Sequence, residues 1–348
     1  MASGPEEGTK ALVSTVVSGR GANQQVSRWR HPTRGDDRPL ALESVECCLC
    51  GALEADPIAV GEDFEYRTSP DSFLALRCRR CELVYLDPRP TAAELSRIYP
   101  DSYHAFAFSD EGFGIVSKVR KRLEAARLLR QCRHLGAQAR IIDVGCGDGF
   151  HLGLLRDFGR PSWQVEGIDL DARAVAAARE RGLTVHEGTV EDLDLERGSY
   201  DMAFMIQTIE HVADPPTVLA ATRDLLRPGG RVVVVTDNTG SLDYRLFRRR
   251  HWGGYHFPRH WNLFNRASMT RLAAESGLEV ARIETMVSPV NWVYSVRNSF
   301  DDLGAPRGLV EQFSLSTPVS LAAFTLFDAV QTLIGRGALL RAVLRRPQ

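Results

Sequence analysis

The feature that most constrains this 348-residue chain is a glycine-rich loop that directly follows an apolar segment. Residues 141–144 (IIDV) predict a buried β-strand, and Gly145, Gly147 and Gly149 come immediately after it. Glycine lets the backbone approach a ligand closely, and a helix that follows such a loop points free N–H groups at that ligand. The loop therefore predicts a cofactor site. A nicotinamide dinucleotide site would need the pattern G-x-G-x-x-G, and Phe150 stands where its third glycine would fall.

Predicted strands and helices alternate along the chain beyond this loop. Besides residues 141–144, strands are predicted at residues 164–168, 184–186, 202–206, 231–236, 280–286 and 339–344. Helical patterns separate several of these strands, at residues 151–158, 172–181 and 216–226. Strands that alternate with helices form a parallel sheet with helices on both faces. The sequence therefore predicts an α/β fold with a Rossmann-like, seven-stranded, mostly parallel sheet.

Two acidic residues stand at the ends of the first two predicted strands. Asp143 lies near the end of the first strand, where its carboxylate would face an amino group or an ordered water. Asp169 ends the second strand, about 20 residues beyond the loop, where a carboxylate can accept both hydrogen bonds from a ribose diol. The alternatives are a tight turn without a ligand for the loop and a helix N-cap for Asp169. We favour an adenosine-type cofactor because the loop and the acids occur together.

Several short motifs strengthen this interpretation through a resemblance. In chain order they are residues 142–149 (IDVGCGDG), 167–169 (GID), 188–193 (GTVEDL), 200–201 (YD), 209–215 (IEHVADP) and 226–230 (LRPGG). They resemble the motifs of class I S-adenosylmethionine-dependent methyltransferases, over roughly residues 140–287. The resemblance implies S-adenosylmethionine as the cofactor, with glycines of the loop along its methionine part and Asp169 on its ribose. The cofactor-binding residues that it implies are Asp143, Gly145, Gly147, Gly149, Asp169, Leu170, Thr189, Val190, Glu191, Ile206 and Gln207.

Four of the seven cysteines form two C-x-x-C pairs. Cys47 and Cys50 are followed, after 27 residues, by Cys78 and Cys81. Two such pairs on neighbouring turns can place four thiolates tetrahedrally around Zn²⁺, so we predict a structural zinc site. Buried free thiols or redox pairs are the alternative. Together with residues 83–90, this module resembles the N-terminal zinc-binding region of bacterial methyltransferases from sugar, polysaccharide and secondary-metabolite pathways.

Three histidines are candidates for the base that an oxygen or carbon acceptor would need. His211 follows the fourth predicted strand, and His256 and His260 lie in the aromatic segment 252–264 after the fifth. Ligands of open α/β sheets bind beyond the carboxyl ends of the strands, where both segments fall. Loop and helix capping is the alternative for His211, and packing among aromatic side chains is the alternative for the other two. Quinone O-methyltransferases resemble the stretch around His211 but carry an acid where this chain has Gln207, which argues against a catalytic metal.

The remaining segments complete the predicted organisation. Residues 1–42 lack an apolar period and are predicted to be disordered. The zinc module is predicted at residues 43–90, and a connector with a leading helix at residues 91–138. The methyltransferase domain is predicted at residues 139–348. An apolar insertion at residues 288–336 contains a predicted helix at 320–334. The simplest role of this insertion is core packing. The alternatives are a lid over the acceptor, a homodimer contact, or a membrane-surface contact through residues 318–340. No transmembrane segment and no secretion signal is predicted, so we expect a cytoplasmic protein.

The balance of charge bears on the partners of the chain. Its 43 Lys and Arg residues against 44 Asp and Glu residues give a net charge of −1, so no nucleic-acid partner is expected. We predict an S-adenosylmethionine-dependent methyltransferase that acts on oxygen or carbon of a small-molecule acceptor, such as a secondary metabolite, a sugar or a quinone-like lipid. An RNA methyltransferase, a non-catalytic zinc-bound scaffold and an NAD-dependent oxidoreductase are the alternatives.

Overall fold

A computed structural model describes residues 38–100, 103 and 114–348 of the chain, without the side chains of residues 114–120. The β-strands of the described residues are β1 (Leu42–Glu43), β2 (Ala55–Glu62), β3 (Ser72–Cys78), β4 (Val84–Leu86), β5 (Arg89–Pro90), β6 (Arg140–Val144), β7 (Gln164–Asp169), β8 (Thr184–Glu187), β9 (Tyr200–Ile206), β10 (Leu226–Asp237), β11 (Asn262–Leu263), β12 (Glu279–Met286) and β13 (Leu339–Arg345). The α-helices are α1 (Leu95–Ile98), α2 (Gly114–Gln131), α3 (Phe150–Phe158), α4 (Ala172–Glu180), α5 (Pro215–Leu225), α6 (Leu242–Phe247), α7 (Arg266–Glu275), α8 (Val290–Asp302), α9 (Arg307–Val310) and α10 (Pro318–Leu333). Most of the segment that was predicted to be disordered, residues 1–37, lies outside the described residues.

The chain divides into two compact units. Unit 1 comprises residues up to Pro100 together with Asp237–Met269 and Glu284–Leu340. Unit 2 comprises Asp101–Thr236, Thr270–Ile283 and Arg341–Gln348. The predicted zinc module therefore belongs to unit 1, and the predicted domain at residues 139–348 contributes to both units.

A seven-stranded sheet in the order β12-β13-β10-β9-β6-β7-β8 dominates unit 2. Strand β6 pairs in parallel with β7 on one side and with β9 on the other, and the pairs β7–β8 and β9–β10 are also parallel. The continuous apolar runs in β9 and β10 fit this arrangement, because strands in the middle of a parallel sheet are buried on both faces. This sheet confirms the predicted α/β fold class, and it brings the carboxyl ends of β6 to β9 to the same edge.

Local signals in the sequence set where two helices of unit 2 begin. The Asp171 carboxylate accepts hydrogen bonds from the backbone N–H groups of Arg173 and Ala174, which caps α4. Asp214 caps α5 in the same way by accepting from Thr217, and prolines at the first positions of α5 preset its backbone. Asp169 is therefore not the N-cap of α4, and Asp214 rather than His211 caps α5.

Unit 1 contains a four-stranded sheet in the order β11-β4-β3-β2 and a two-stranded sheet of β1 and β5. Four aromatic side chains from residues 252–261 enter the core of this unit beside the apolar residues of β3 and β4. The Tyr255 ring stacks on Phe257 at a centroid distance of 4.8 Å and meets the Trp252 ring edge-on at 5.1 Å. The aromatic segment is therefore part of the core, and β11 continues it by pairing with β4.

A buried ion pair holds the same segment in place. The Arg259 guanidinium donates to both carboxylate oxygens of Asp63 at 2.9 and 3.1 Å, and both side chains are 0% exposed. The backbone N–H groups of Tyr66 and Thr68 also donate to Asp63. Burial alone would raise the pKa of Asp63, but the guanidinium and the N–H donors lower it to about 2. The charged pair is therefore well compensated despite its burial.

Helix α10 forms where residues 320–334 were predicted to be helical. No helix among residues 38–100 and 114–348 is both long and apolar enough to cross a lipid bilayer.

Candidate functional site

The glycine loop makes a tight turn between β6 and α3. The N–H groups of Gly145 and Cys146 donate to the Ile168 carbonyl of β7 at 2.8 and 3.0 Å. Gly145, Gly147 and Gly149 have φ values of 76°, 55° and 77°, which other residues rarely adopt. A Cβ atom at Gly145 would also overlap the side chain of Thr208. Glycine is therefore required in this loop by backbone conformation as well as by space.

Asp169 ties the loop to the second strand. One of its carboxylate oxygens accepts from the Gly147 N–H at 2.7 Å, and the other accepts from the Asp171 N–H at 2.9 Å. Burial raises the pKa of Asp169, while these two N–H donors act in the opposite direction. Because each carboxylate oxygen has a second lone pair, Asp169 retains the capacity to accept hydrogen bonds from a ribose diol.

Asp143 lies buried beneath the loop. Neither of its carboxylate oxygens has a hydrogen-bond partner among the described residues. Burial, followed by the nearby charge of Asp169, raises the pKa of Asp143 to about 8. A buried carboxylate without donors is destabilising, and an amino group supplied by a ligand would relieve this. The loop and both acids therefore fit the methionine part and the ribose of S-adenosylmethionine.

The other predicted cofactor-binding residues also belong to unit 2. Leu170, next to Asp169, is exposed, and the Gly188 N–H donates to the Asp169 carbonyl at 3.0 Å. At the end of β8, the Thr189 hydroxyl donates to Asp192, Val190 is buried and Glu191 is exposed. At the end of β9, Ile206 is half-buried and Gln207 has a φ of 53°. All of these residues lie at or just beyond the carboxyl ends of β7, β8 and β9. Strands β7 and β9 pair with β6, and β8 pairs with β7.

Thr208 is a residue of this site that the sequence analysis missed. Its hydroxyl donates to the carbonyls of Ile206 and Gly145 at 3.3 and 3.5 Å. Its position directly after a buried strand in a parallel sheet is a signal that could have found it.

The three candidate histidines have different surroundings. His211 lies in unit 2, in the turn after β9, where its backbone N–H donates to the Thr208 carbonyl. His256 and His260 both lie in unit 1, with ring centroids 4.9 Å apart. His256 and His260 are therefore neighbours within unit 1.

Hydrogen bonds orient both of these rings. His260 Nδ1 lies 2.8 Å from the Gly254 carbonyl, which can only accept, so Nδ1 carries the proton and Nε2 of the neutral ring is the acceptor. His256 Nδ1 lies 2.5 Å from a carboxylate oxygen of Glu65, and both of these side chains are largely buried. Glu65 therefore orients the His256 ring in the manner of an acid that supports a histidine base.

His256 lies in the wall of a pocket within unit 1. The pocket is partly open to solvent. Its lining residues are Glu62, Phe64, Glu65, Arg250, Trp252, Gly253, Tyr255, His256, Phe257, Tyr294 and Asn298. Burial, followed by the charge of Glu65 and a hydrogen bond to it, raises the pKa of Tyr294, so this phenol stays protonated and donates to Glu65. Aromatic walls around a few polar groups are typical of small-molecule sites.

The sequence analysis missed Glu65 and Tyr294 in this pocket. They lie in the loop after β2 and in α8, far from His256 along the chain. Nothing in the local pattern of either residue predicts that contact.

The four predicted zinc ligands meet in unit 1. The sulfur atoms of Cys47 and Cys81 are 3.3 Å apart, those of Cys50 and Cys78 are 3.5 Å apart, and all four lie within 4.8 Å of one another. Each pair lies on a turn, closed by donation from the Gly51 N–H to the Cys47 carbonyl and from the Glu82 N–H to the Cys78 carbonyl. Four convergent thiols on two turns fit a closed tetrahedral zinc site.

The chain is similar to a family of known proteins. A family model described as a methyltransferase domain matches residues 116–283. The ubiquinone biosynthesis O-methyltransferase of Cereibacter sphaeroides is 31% identical over 169 residues, which cover 45% of this chain and 67% of that protein. This chain belongs to the S-adenosylmethionine-dependent methyltransferases.

Other proteins are similar to this methyltransferase over different lengths. An uncharacterized 37.1 kDa protein in transposon TN4556 of Streptomyces fradiae is 42% identical over 106 residues, 29% of this chain and 31% of that protein. The solved phosphoethanolamine N-methyltransferase 2 of Haemonchus contortus, in complex with S-adenosyl-L-methionine, is 18% identical with a TM-score of 0.48 over 84% of this chain and 69% of that chain. Alignments with curated relatives span from about a third to three quarters of their lengths.

Replacement of Asp143 by asparagine tests the buried carboxylate of this methyltransferase. Because folding raises the pKa of Asp143 from 3.8 to about 8, the ligand-free fold loses stability as the pH rises between these values. We expect Asp143→Asn to stabilise the ligand-free protein by a few kcal/mol at about pH 9, at about 1.4 kcal/mol per pKa unit, and to have little effect at about pH 4. Urea unfolding at the two pH values measures the difference.

The control for this experiment is Asp194→Asn, which changes an exposed acid of the same unit. It should show no such dependence on pH. An effect of Asp143→Asn that is equal at both pH values would contradict the raised pKa.

Proposed function

We propose that this methyltransferase transfers a methyl group from S-adenosylmethionine to a hydroxyl oxygen of a small acceptor that contains an aromatic ring. The observation that carries this proposal is the aromatic pocket of unit 1, in which the Glu65 carboxylate holds His256. The name of the relative from Cereibacter sphaeroides describes an O-methyltransferase, which supports oxygen as the acceptor atom. Transfer to carbon of the same class of acceptor is the second candidate, since it also needs a base.

On the cofactor side, each residue of the site has a proposed role. Asp143 would accept from the amino group of the methionine part, Asp169 would hold the ribose hydroxyls, and Gly145 and Gly147 would line the methionine part. Residues 189–191 would flank the adenine, and Ile206 and Gln207 would border the sulfonium. When bound, S-adenosylmethionine supplies an electrophilic methyl group that moves by in-line displacement.

On the acceptor side, the residues would orient a ring and remove a proton. The more accessible aromatic side chains of the pocket, Phe64 and Tyr294, would pack against the acceptor ring. Glu65 accepts the Nδ1 proton of His256, which leaves Nε2 of that ring to take the hydroxyl proton. His260 and then His211 are the next candidates for this base.

We also propose a structural zinc ion on Cys47, Cys50, Cys78 and Cys81, and a cytoplasmic location. None of the seven cysteines, all of which lie in the described residues, forms a disulfide, which is typical of proteins from reducing compartments. The zinc would stabilise unit 1 without taking part in transfer, because four thiolate ligands leave no open coordination position.

Cofactor binding is tested by Asp169→Ala. Loss of this carboxylate removes the acceptor for the ribose and for the Gly147 N–H, so we expect S-adenosylmethionine binding to disappear in calorimetry. The matched control is Asp171→Ala, two residues further on, which removes the cap of α4 and should cost about 1 kcal/mol of stability while binding persists. Unchanged binding by Asp169→Ala would contradict its role.

Proton removal is tested by His256→Ala. We expect S-adenosylmethionine to bind normally and the transfer of labelled methyl groups to a panel of phenols and catechols to slow by roughly 10²–10⁴-fold. His186→Ala, a change at a half-buried histidine of β8, should leave both binding and rate unchanged. A normal rate in His256→Ala would exclude His256 as the base, and labelling of RNA instead of phenols would favour an RNA methyltransferase.

The zinc site is tested by metal analysis of the purified protein. We expect one zinc ion per chain in the wild type, and a loss of zinc together with a lower melting temperature in Cys78→Ser, because a structural zinc contributes to folding. Cys48→Ser changes a cysteine beside a proposed ligand, and it should retain zinc because Cys48 donates to Asn262 instead. A wild type without zinc would contradict the proposal.

A further inference from the structure

Helix α10 is anchored in unit 1 by one face. Asp328 is fully buried and accepts hydrogen bonds from the Ser288 N–H at 2.9 Å, from Trp292 Nε1 at 3.0 Å and from the Ala338 N–H at 3.2 Å. The ring of Phe324 stacks on Trp292 at a centroid distance of 6.0 Å. These contacts fix the rotation of the helix, so its opposite face points outward in a defined orientation.

The outward face carries apolar residues at an alternating spacing of four and three. They are Val319, Ala323, Leu326, Val330 and Leu333, which we call the α10 seam. All five are exposed, and the four larger side chains are 78%, 71%, 58% and 86% exposed in chain order. This spacing is the pattern of the two core positions of a coiled coil, with Ala323 and Val330 at the first position and Val319, Leu326 and Leu333 at the second. Val330 followed by Leu333 is the combination that favours pairing of two helices. The seam therefore has the form of a helix–helix contact.

The size of this surface matches what a dimer needs. Phe327 and Ile334 flank the α10 seam and are 44% and 63% exposed. Together with the seam they expose on the order of 700 Å² of apolar surface, against about 800 Å² that each partner buries in a stable interface. A single exposed apolar patch of this size marks an interaction site rather than ordinary surface.

The charge of α10 favours a second copy of the chain over a membrane surface as the partner of the α10 seam. From Pro318 to Leu333 there is no Lys or Arg, and Asp328, the only acid, is buried. Helices that lie on membranes combine their apolar face with cations that attract anionic lipid. The α10 seam has no cations, so it lacks the charges that would attract an anionic membrane. An identical uncharged seam on a second copy of the chain would be complementary to it under twofold symmetry.

We propose that the chain forms a homodimer in which α10 of one protomer packs along α10 of its partner through the α10 seam. Leu326 lies at the midpoint of the seam, so it falls within the contact whether the two helices run parallel or antiparallel. This contact is independent of the proposed methyl transfer, because the α10 seam contains none of the cofactor or pocket residues.

The test is the molar mass of the full chain in solution, measured by light scattering at micromolar concentration. We expect the wild type to have twice the mass of one chain, and Leu326→Glu to have the mass of a single chain because it places two carboxylates at the midpoint of the seam. Leu333→Glu, near the end of the helix, serves as a second variant. The matched control is Leu303→Glu, since Leu303 is also 78% exposed but lies outside the seam, and it should remain a dimer.

Circular dichroism melting establishes that the glutamate variants are folded. A wild type with the mass of one chain would overturn the proposal, as would dimers that persist in both folded seam variants. Sedimentation of the wild type with phosphatidylcholine vesicles, lost in Leu326→Glu, would also overturn it by assigning the seam to lipid.

Discussion

The cofactor site of unit 2 depends on the parallel pairing of β6 with β7 and β9. Parallel strands end at the same edge of their sheet, so the glycine loop after β6, Asp169 at the end of β7 and Ile206 at the end of β9 become neighbours. The positive φ of Gly145 lets the chain turn back at once, and the hydrogen bond from the Gly147 N–H to Asp169 closes the loop onto the second strand. A ligand at this edge meets all of these groups together.

Two buried carboxylates show how the two units use the same chemical group differently. Asp63 is paired with Arg259 and with backbone N–H groups, so its pKa falls to about 2. Its negative charge is therefore compensated by groups of unit 1. Asp143 has no donor among the described residues, and its pKa rises to about 8. The first arrangement compensates its charge within the unit, whereas the second has no compensating donor in the part of the chain that the structure describes. This contrast supports the proposed role of Asp143 in cofactor binding.

Unit 1 combines three features that the sequence keeps apart. Four cysteines converge in it, its aromatic segment contributes to both the core and the pocket wall, and α10 exposes an apolar seam. His256 illustrates the double use of the aromatic segment. Its neighbours Tyr255 and Phe257 are buried in the core, and this rigid packing is what can hold the His256 ring against Glu65.

The sequence alone determined the sheet, the glycine loop with its two acids and the convergence of four cysteines, because each is encoded in short-range signals. Apolar runs define buried strands, glycines define the turn, and the C-x-x-C spacing defines two turns that each carry a pair of cysteines. Only the tertiary structure decided that Asp171 and not Asp169 caps α4, that Glu65 and Tyr294 surround His256, and that the seam on α10 faces outward. These facts depend on which distant segments meet, and on which face of a helix a buried group such as Asp328 draws inward. Such contacts are set by packing across the whole chain, so no local pattern of residues records them.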